Sequence, residues 1–357
     1  MSVFNALKLG SVWRIVSQVS IEEIAKHAEQ SFHLLVVAED QKNAEMMARR
    51  LSDEAASFVH PWITATTPPI QPVTSGQERV DLAILLSERV QLSKELAQTN
   101  TALIRAKIPT LILVAGRAAE QPDAAIAHRG EDKRVAVPIL DRVAVEKEVG
   151  AAIVALATPE LRLALARRLP PLRPAAFQLL IQETSQANAT YSFSTGLAEI
   201  IPVLDIPLNV GDVIVLTKNQ LVMAYKIALM AGKQGSPQQL LVEIMGVLGG
   251  GFLFRQLARQ MVGLIPVWGI APKVAIAYAG TWSIGQAVVL WSVEGQQITP
   301  ELLRQFYAEA LTRGQAVAQR LTENMRGHLP GFPTEPSSTG RLRFWQRVQK
   351  RLPLSRR

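Results

Sequence analysis

The sequence predicts two architectures in one chain: a doubly wound α/β domain, then an all-α, glycine-rich helical domain of membrane-associated character. Three observations carry this reading. In the first half, short apolar runs alternate with stretches of helical periodicity, the pattern of parallel strands joined by helices. From Ser194 to Trp291 only ten of 98 residues are charged. Within that region Pro272–Trp291 runs for twenty residues with Lys273 as its one charge. A helix of that length reaches about 30 Å, the thickness of a bilayer core.

The 357 residues leave room for two domains, and charge divides them. Residues 1–160 are net −3 and residues 161–357 net +11, with seven basic residues in the last 17. The basic balance therefore belongs to one half and one tail, and no nucleic-acid partner is expected. The absence of cysteine excludes disulfides, thiolate metal sites and thiol catalysis. The five histidines show no metal-ligand spacing, and no cofactor is expected. Lys8 and Arg14 interrupt the N-terminal apolar stretch, so no cleaved signal peptide is expected.

Residues 1–30 read as a helical segment, with Ser20 and Glu23 at capping-box spacing. The α/β domain follows over 31–142. Phe32–Asp40 has the apolar density of a strand buried on both faces, and QKNAEMMARRLSDEA after it is helical. Arg79–Ser87 and Ile108–Gly116 are two more buried strands around an amphipathic helix, and Arg134–Asp141 fits a fourth. His60–Gln77 is a Pro/Thr-rich connection with no assigned element.

The first strand–loop–helix entry is where nucleotide-binding α/β domains keep a phosphate loop. Such a loop needs glycines for close backbone approach, a Lys for the phosphates and Ser/Thr for Mg²⁺. On AEDQKNAE that pattern places Ala38 and Asn43 at the glycines, Ala44 at the Lys and Glu45 at the Ser/Thr. Lys42 is out of register, and Glu39, Asp40 and Glu45 repel a triphosphate. Asp81 has no glycine three residues on, and AGRA (115–118) stands where a guanine-reading motif belongs. The expectation is a non-catalytic sheet, with no catalytic, cofactor or metal residues and no small-molecule substrate.

Residues 143–175 form a helical connector whose prolines mark a boundary near 170–174. Arg162, Arg167, Arg168 and Arg173 cluster there, either on a solvated helix face or against phospholipid headgroups. The helical domain spans 176–327. Asp212, Asn219 and Lys226 recur every seven residues on one otherwise apolar helix, a polar stripe that in a membrane faces protein or water. Gly246–Phe254 and Met261–Ala271 are apolar and separated by Arg255 and Arg259. Gly250, Gly280 and Gly285 permit close helix approach, while Pro266 and Pro272 suggest a bend. The membrane-embedded candidates are Gly250, Pro266, Trp268, Pro272, Lys273, Gly280, Trp282, Gly285 and Trp291. A hairpin from Gly246 to Trp291 with both ends cytoplasmic is expected, because Arg255 and Arg259 hold its entry on the positive-inside side. An amphipathic helix starts near Thr299–Pro300, a linker covers 328–340, and a basic amphipathic tail closes the sequence given. In that tail Arg341, Arg343, Arg347, Lys350 and Arg351 suit anionic headgroups.

Three stretches between 160 and 325, LTKNQ, FRQLARQ and PKVAIAYAGTWSIGQA, resemble the domain-of-unknown-function 697 family. Its members are bacterial membrane or GTPase-associated proteins, some with a GTPase domain ahead of this region. The resemblance implies a degenerate GTPase-like sheet in the first half and supplies no catalytic residues. The expectation is a non-enzymatic scaffold at the cytoplasmic membrane, its α/β domain and tail on the cytoplasmic side. Anionic lipid and a protein partner or second copy are its expected contacts. Two alternatives stay open: a nucleotide-binding switch with a non-standard phosphate loop, and a soluble helical bundle that oligomerises.

Overall fold

In this computed structural model the described residues are 21–52, 60–70, 79–123, 133–200, 208–247 and 270–328. They fall into two compact units, one comprising 22–179 with 229–232 and the other 180–228 with the described residues from 233 onward.

The first unit is a doubly wound α/β domain around a five-stranded parallel sheet in the order β2-β1-β3-β4-β5. The strands are β1 (Leu34–Ala38), β2 (Ile63–Thr66), β3 (Leu82–Ser87), β4 (Thr110–Ala115) and β5 (Lys133–Val137). Leu34 to Ala38 pairs in register with Leu82 to Leu86, and Ala83 to Ser87 with Thr110 to Val114. Because side chains alternate across a strand, one face presents Leu35, Val37, Ala83, Leu85, Ile112 and Val114. These pack with Leu96 and Leu103 of α3 (Lys94–Arg105). The alternate residues Leu34, Val36, Leu82, Ile84, Leu111 and Leu113 are as completely buried, so both faces are covered.

This unit also holds α1 (Ile21–Glu29) from Glu22 onward, α2 (Gln41–Ser52), α4 (Gly150–Leu156) and α5 (Pro159–Arg168). A single turn at Arg142–Ala144 and a π turn at Val145–Val149 lead into α4. Helix α2 packs on β1 and β2, and α4 on β4 and β5. The short 3₁₀ turn Pro170–Leu172 packs against both helices, so residues of the expected connector complete this unit's core.

The second unit is all helical. It contains α6 (Arg173–Ile200) from Leu180 onward, α7 (Leu208–Met230) to Ala228, α8 (Pro237–Val247), α9 (Ile270–Glu294) and α10 (Pro300–His328). Ser236 and Gln239 form a reciprocal capping box at the start of α8, with bonds of 3.3 and 3.0 Å. Gly295 leaves α9 at φ +68°, and Thr299 accepts the Leu302 N–H at 3.2 Å to start α10. This tight turn folds α10 back along α9 as an antiparallel pair.

Candidate functional site

In an open parallel sheet of this strand order, ligands bind beyond the carboxyl ends of β1 and β3, where the winding reverses. Here only Glu39 and Asp40 separate β1 from α2. The carboxylate of Asp40 accepts the Asn43 N–H at 3.0 Å, so the chain's own anion caps the helix end a phosphate would use. Asn43 donates across the crevice to Glu88 at 3.2 Å, linking the two strand ends. Gln41 is held by Glu45 at 3.0 Å and by the Ala65 carbonyl at 3.1 Å. The residues that the phosphate-loop alignment assigns to a loop are therefore mostly helix, and Ala44 is completely buried. Among the described residues no group of three His, Asp or Glu could hold a metal ion. Asp81 lies at the opposite end of the sheet, where it accepts the His33 N–H at 2.9 Å. Residues 116–120 form a 3₁₀ turn after β4.

The arginine cluster caps helix ends. Arg162 donates to the carbonyls of Val154 and Ala157 at 2.8 and 3.0 Å, satisfying the last turn of α4. Arg173 donates to Ala166 and Arg167 at the end of α5, at 3.0 and 3.1 Å. Burial, and then the neighbouring Arg167 charge, lower its pKa. Arg167 reaches the Leu229 carbonyl at 2.8 Å and Glu29 at 2.6 Å. Arg168 meets the same carboxylate at 3.1 Å and lies 4.5 Å over the Trp62 ring. Trp62 also packs edge-on to Phe32 and His60. Burial, and then Arg168, hold the His60 imidazole below its ordinary value of 6.5.

The helical unit keeps its polar groups in the middle. Asn188 of α6 donates to Thr281 of α9 at 2.8 Å and accepts from Asn219 of α7 at 2.7 Å. Gln220 donates to the same Thr281 hydroxyl at 3.1 Å. Ten residues along α6 from Ser185, Thr195 meets the Lys273 ammonium at 3.2 Å, and that lysine is only 6% exposed. Ser185 and Ser192 lie on the same α6 face, wholly buried with no hydrogen-bond partner for their hydroxyls. Close packing accompanies this seam. A Cβ on Gly285 would stand 2.6 Å from Ile181, and one on Gly314 2.6 Å from the Ala275 carbonyl oxygen.

Helix α9, from Lys273 to Glu294, is the one helix among the described residues long and apolar enough to cross a membrane; 78% of its apolar window is buried. Tyr278 and Trp282 stack 5.9 Å apart, and Arg313 of α10 lies 4.6 Å over the Trp282 ring. Trp291 holds Lys233 at 4.8 Å. Pro272 and Gly280 lie within α9, and Asp212 lies within α7. Asn219 and Lys226 are half-buried. Gly250, Pro266, Trp268, Arg341, Arg343, Arg347, Lys350 and Arg351 lie outside the described residues.

Sequence reasoning missed Asn188, Gln220 and Thr281. The signal was present in SQANATYSFST, where Ser185, Asn188, Ser192 and Thr195 recur at helical spacing. No protein family, curated protein or solved structure matches the chain. The family resemblance of residues 160–325 stands on the quoted residues alone.

Proposed function

We propose that this protein is a non-enzymatic, membrane-associated scaffold whose α/β domain is a structural platform. The observation that carries the non-enzymatic half is the Asp40 carboxylate seated on the α2 N-terminus, with Asn43 tied to Glu88 beside it. A nucleotide phosphate at that crevice would displace a bonded carboxylate and face Glu39 and Glu88 as well. Isothermal titration with GTP and ATP tests this directly, and the expected result is no heat of binding. Micromolar binding that is lost on Asn43→Asp would refute it and favour a nucleotide-binding switch.

The membrane half rests on the seven positive charges between Arg341 and Arg357 and the apolar sequence between α8 and α9. Each basic residue near an anionic surface contributes about 1 kcal/mol, screened by salt. We place attachment on the cytoplasmic face, with α9 held as the core of a bundle. Flotation on anionic and neutral vesicles tests it: binding should be anionic-selective, salt-sensitive and weakened by removing 341–357. Equal recovery on both lipids would refute the electrostatic part.

One observation favours a second reading, a bundle that works as a water-facing oligomer. The outward face of α6 (Gln182, Gln186, Thr190 and Ser194) is polar, and that of α10 (Glu301, Arg304, Glu309 and Arg320) is charged. Extraction in carbonate without detergent, followed by a mass measurement in solution, separates the two readings.

A further inference from the structure

The contacts around α9 are of two kinds. Towards α6 and α7 a lattice of side-chain hydrogen bonds through Thr281 and Lys273 adds to the close approach of Gly285 to Ile181. Towards α10 the contact is close packing at Gly314 against Ala275, and the Arg313 guanidinium over Trp282. A bilayer competes unequally with these. Acyl chains are as apolar as the packed side chains, so they match the packing that α10 offers apart from the Arg313 cation, whereas they supply nothing to the hydrogen-bonded seam. The face under α10 also carries stacked Tyr278 and Trp282, the ring types that settle at the headgroup level. Helix α10 itself has a charged outer face that keeps it at a water interface once it leaves α9.

The sequence beyond α10 supplies a means of pulling. Twelve residues separate His328 from the basic tail at Arg341. Extended, they span at most about 40 Å, so a tail bound to anionic lipid keeps the α10 end beside the same surface.

We propose that α10 is a displaceable cover, and that the α9 face beneath it, centred on Tyr278 and Trp282, docks on an anionic bilayer when the tail engages lipid. The inference rests on the membrane attachment proposed above and adds to it a masked lipid face and the helix that masks it. The α6–α7–α9 seam stays closed throughout.

Hydrogen exchange on the full chain tests this, alone, with phosphatidylcholine vesicles, and with phosphatidylcholine vesicles containing phosphatidylglycerol. On the anionic vesicles α10 amides should exchange about tenfold faster or more, while α7 is unchanged. Brominated acyl chains should quench the part of the emission that Trp282→Phe removes. Arg313→Ala releases the ring contact without adding volume and should increase that quenching. Gly314→Val, which forces the two backbones apart, should increase it further. A chain that sediments with anionic vesicles while α10 exchange and Trp282 emission stay at their solution values overturns the cover and leaves the attachment standing. A chain that does not sediment overturns both.

Discussion

The two units handle polar groups in opposite ways. In the α/β unit they sit at the ends of elements: Asp40 and Ser93 at helix starts, Arg162 and Arg173 at helix stops, Asp81 at a strand entrance. Between them β1, β3 and β4 are apolar apart from Ser87 and Thr110 at strand ends, while Thr99 and Asn100 are buried polar residues within α3. In the helical unit the polar groups lie mid-helix, and Asn188, Asn219, Gln220 and Thr281 meet where three helices converge. A sheet obtains its register from backbone ladders, so its core can be purely apolar. Apolar helices slide past one another at small cost, and a buried hydrogen-bonded set at one level singles out one alignment. The contrast teaches where each unit is fragile.

The largest expected effect is at Gly314. Gly314→Val places a side chain where even a Cβ would stand 2.6 Å from a backbone oxygen, which cannot rotate away. A loss of about 1–3 kcal/mol or more is expected in chemical denaturation, confined to the transition that reports the helical unit. An equal shift in both units' transitions would mean that they do not unfold separately and would break the comparison. Next is Asn188→Leu, which strands the Asn219 amide and leaves Thr281 with Gln220 as its donor; about 1–3 kcal/mol should be lost. Replacing Asn188, Asn219, Gln220 and Thr281 together by apolar residues should recover much of that stability while broadening the amide NMR spectrum. Sharp lines in that variant would show that the seam does not set alignment.

In the α/β unit, Arg167→Ala removes the donor to Leu229 and a partner of Glu29, costing about 1–2 kcal/mol; a lysine, lacking the fork, should restore less than half. Asp40→Ala should cost about 1 kcal/mol by loss of a cap and create no nucleotide affinity. The smallest effect is His60. Its folded pKa is depressed, so the fold favours the neutral ring and stability is complete above about pH 6.5. It declines as pH falls below that value, and His60→Gln should flatten the decline in an acid titration followed by circular dichroism.

Much of the α/β unit was legible because buried parallel strands are long apolar runs that no loop resembles. Strands β1, β3 and β4 carry that signature; β5 lies half-buried at the other edge and shows it only in Val135–Val137, after Lys133 and Arg134. Strand β2 escaped: Ile63–Thr66 is short, Thr-rich and flanked by prolines, and its burial falls from Ile63 outward because it lies at the sheet edge. The missing phosphate loop was readable from residue identity, yet the two-residue turn and the Asp40 cap needed coordinates. The arginines of 162–173 read as a charged patch because a sequence shows charge density and hides which carbonyls lie within reach. Helix α9 was found at once by its composition. What covers it was not, since a long apolar run looks the same facing lipid or facing α10.

The fold-back of α10 on α9 also fixes an order of events on the ribosome. Helix α9 ends at Glu294 and its cover ends 34 residues later at His328. At synthesis rates of about 5–20 residues per second, the finished apolar helix waits roughly two to seven seconds for its partner. For that interval every newborn copy presents Trp282 and its neighbours to whatever stands at the tunnel exit, whether a chaperone, a translocon or a bilayer.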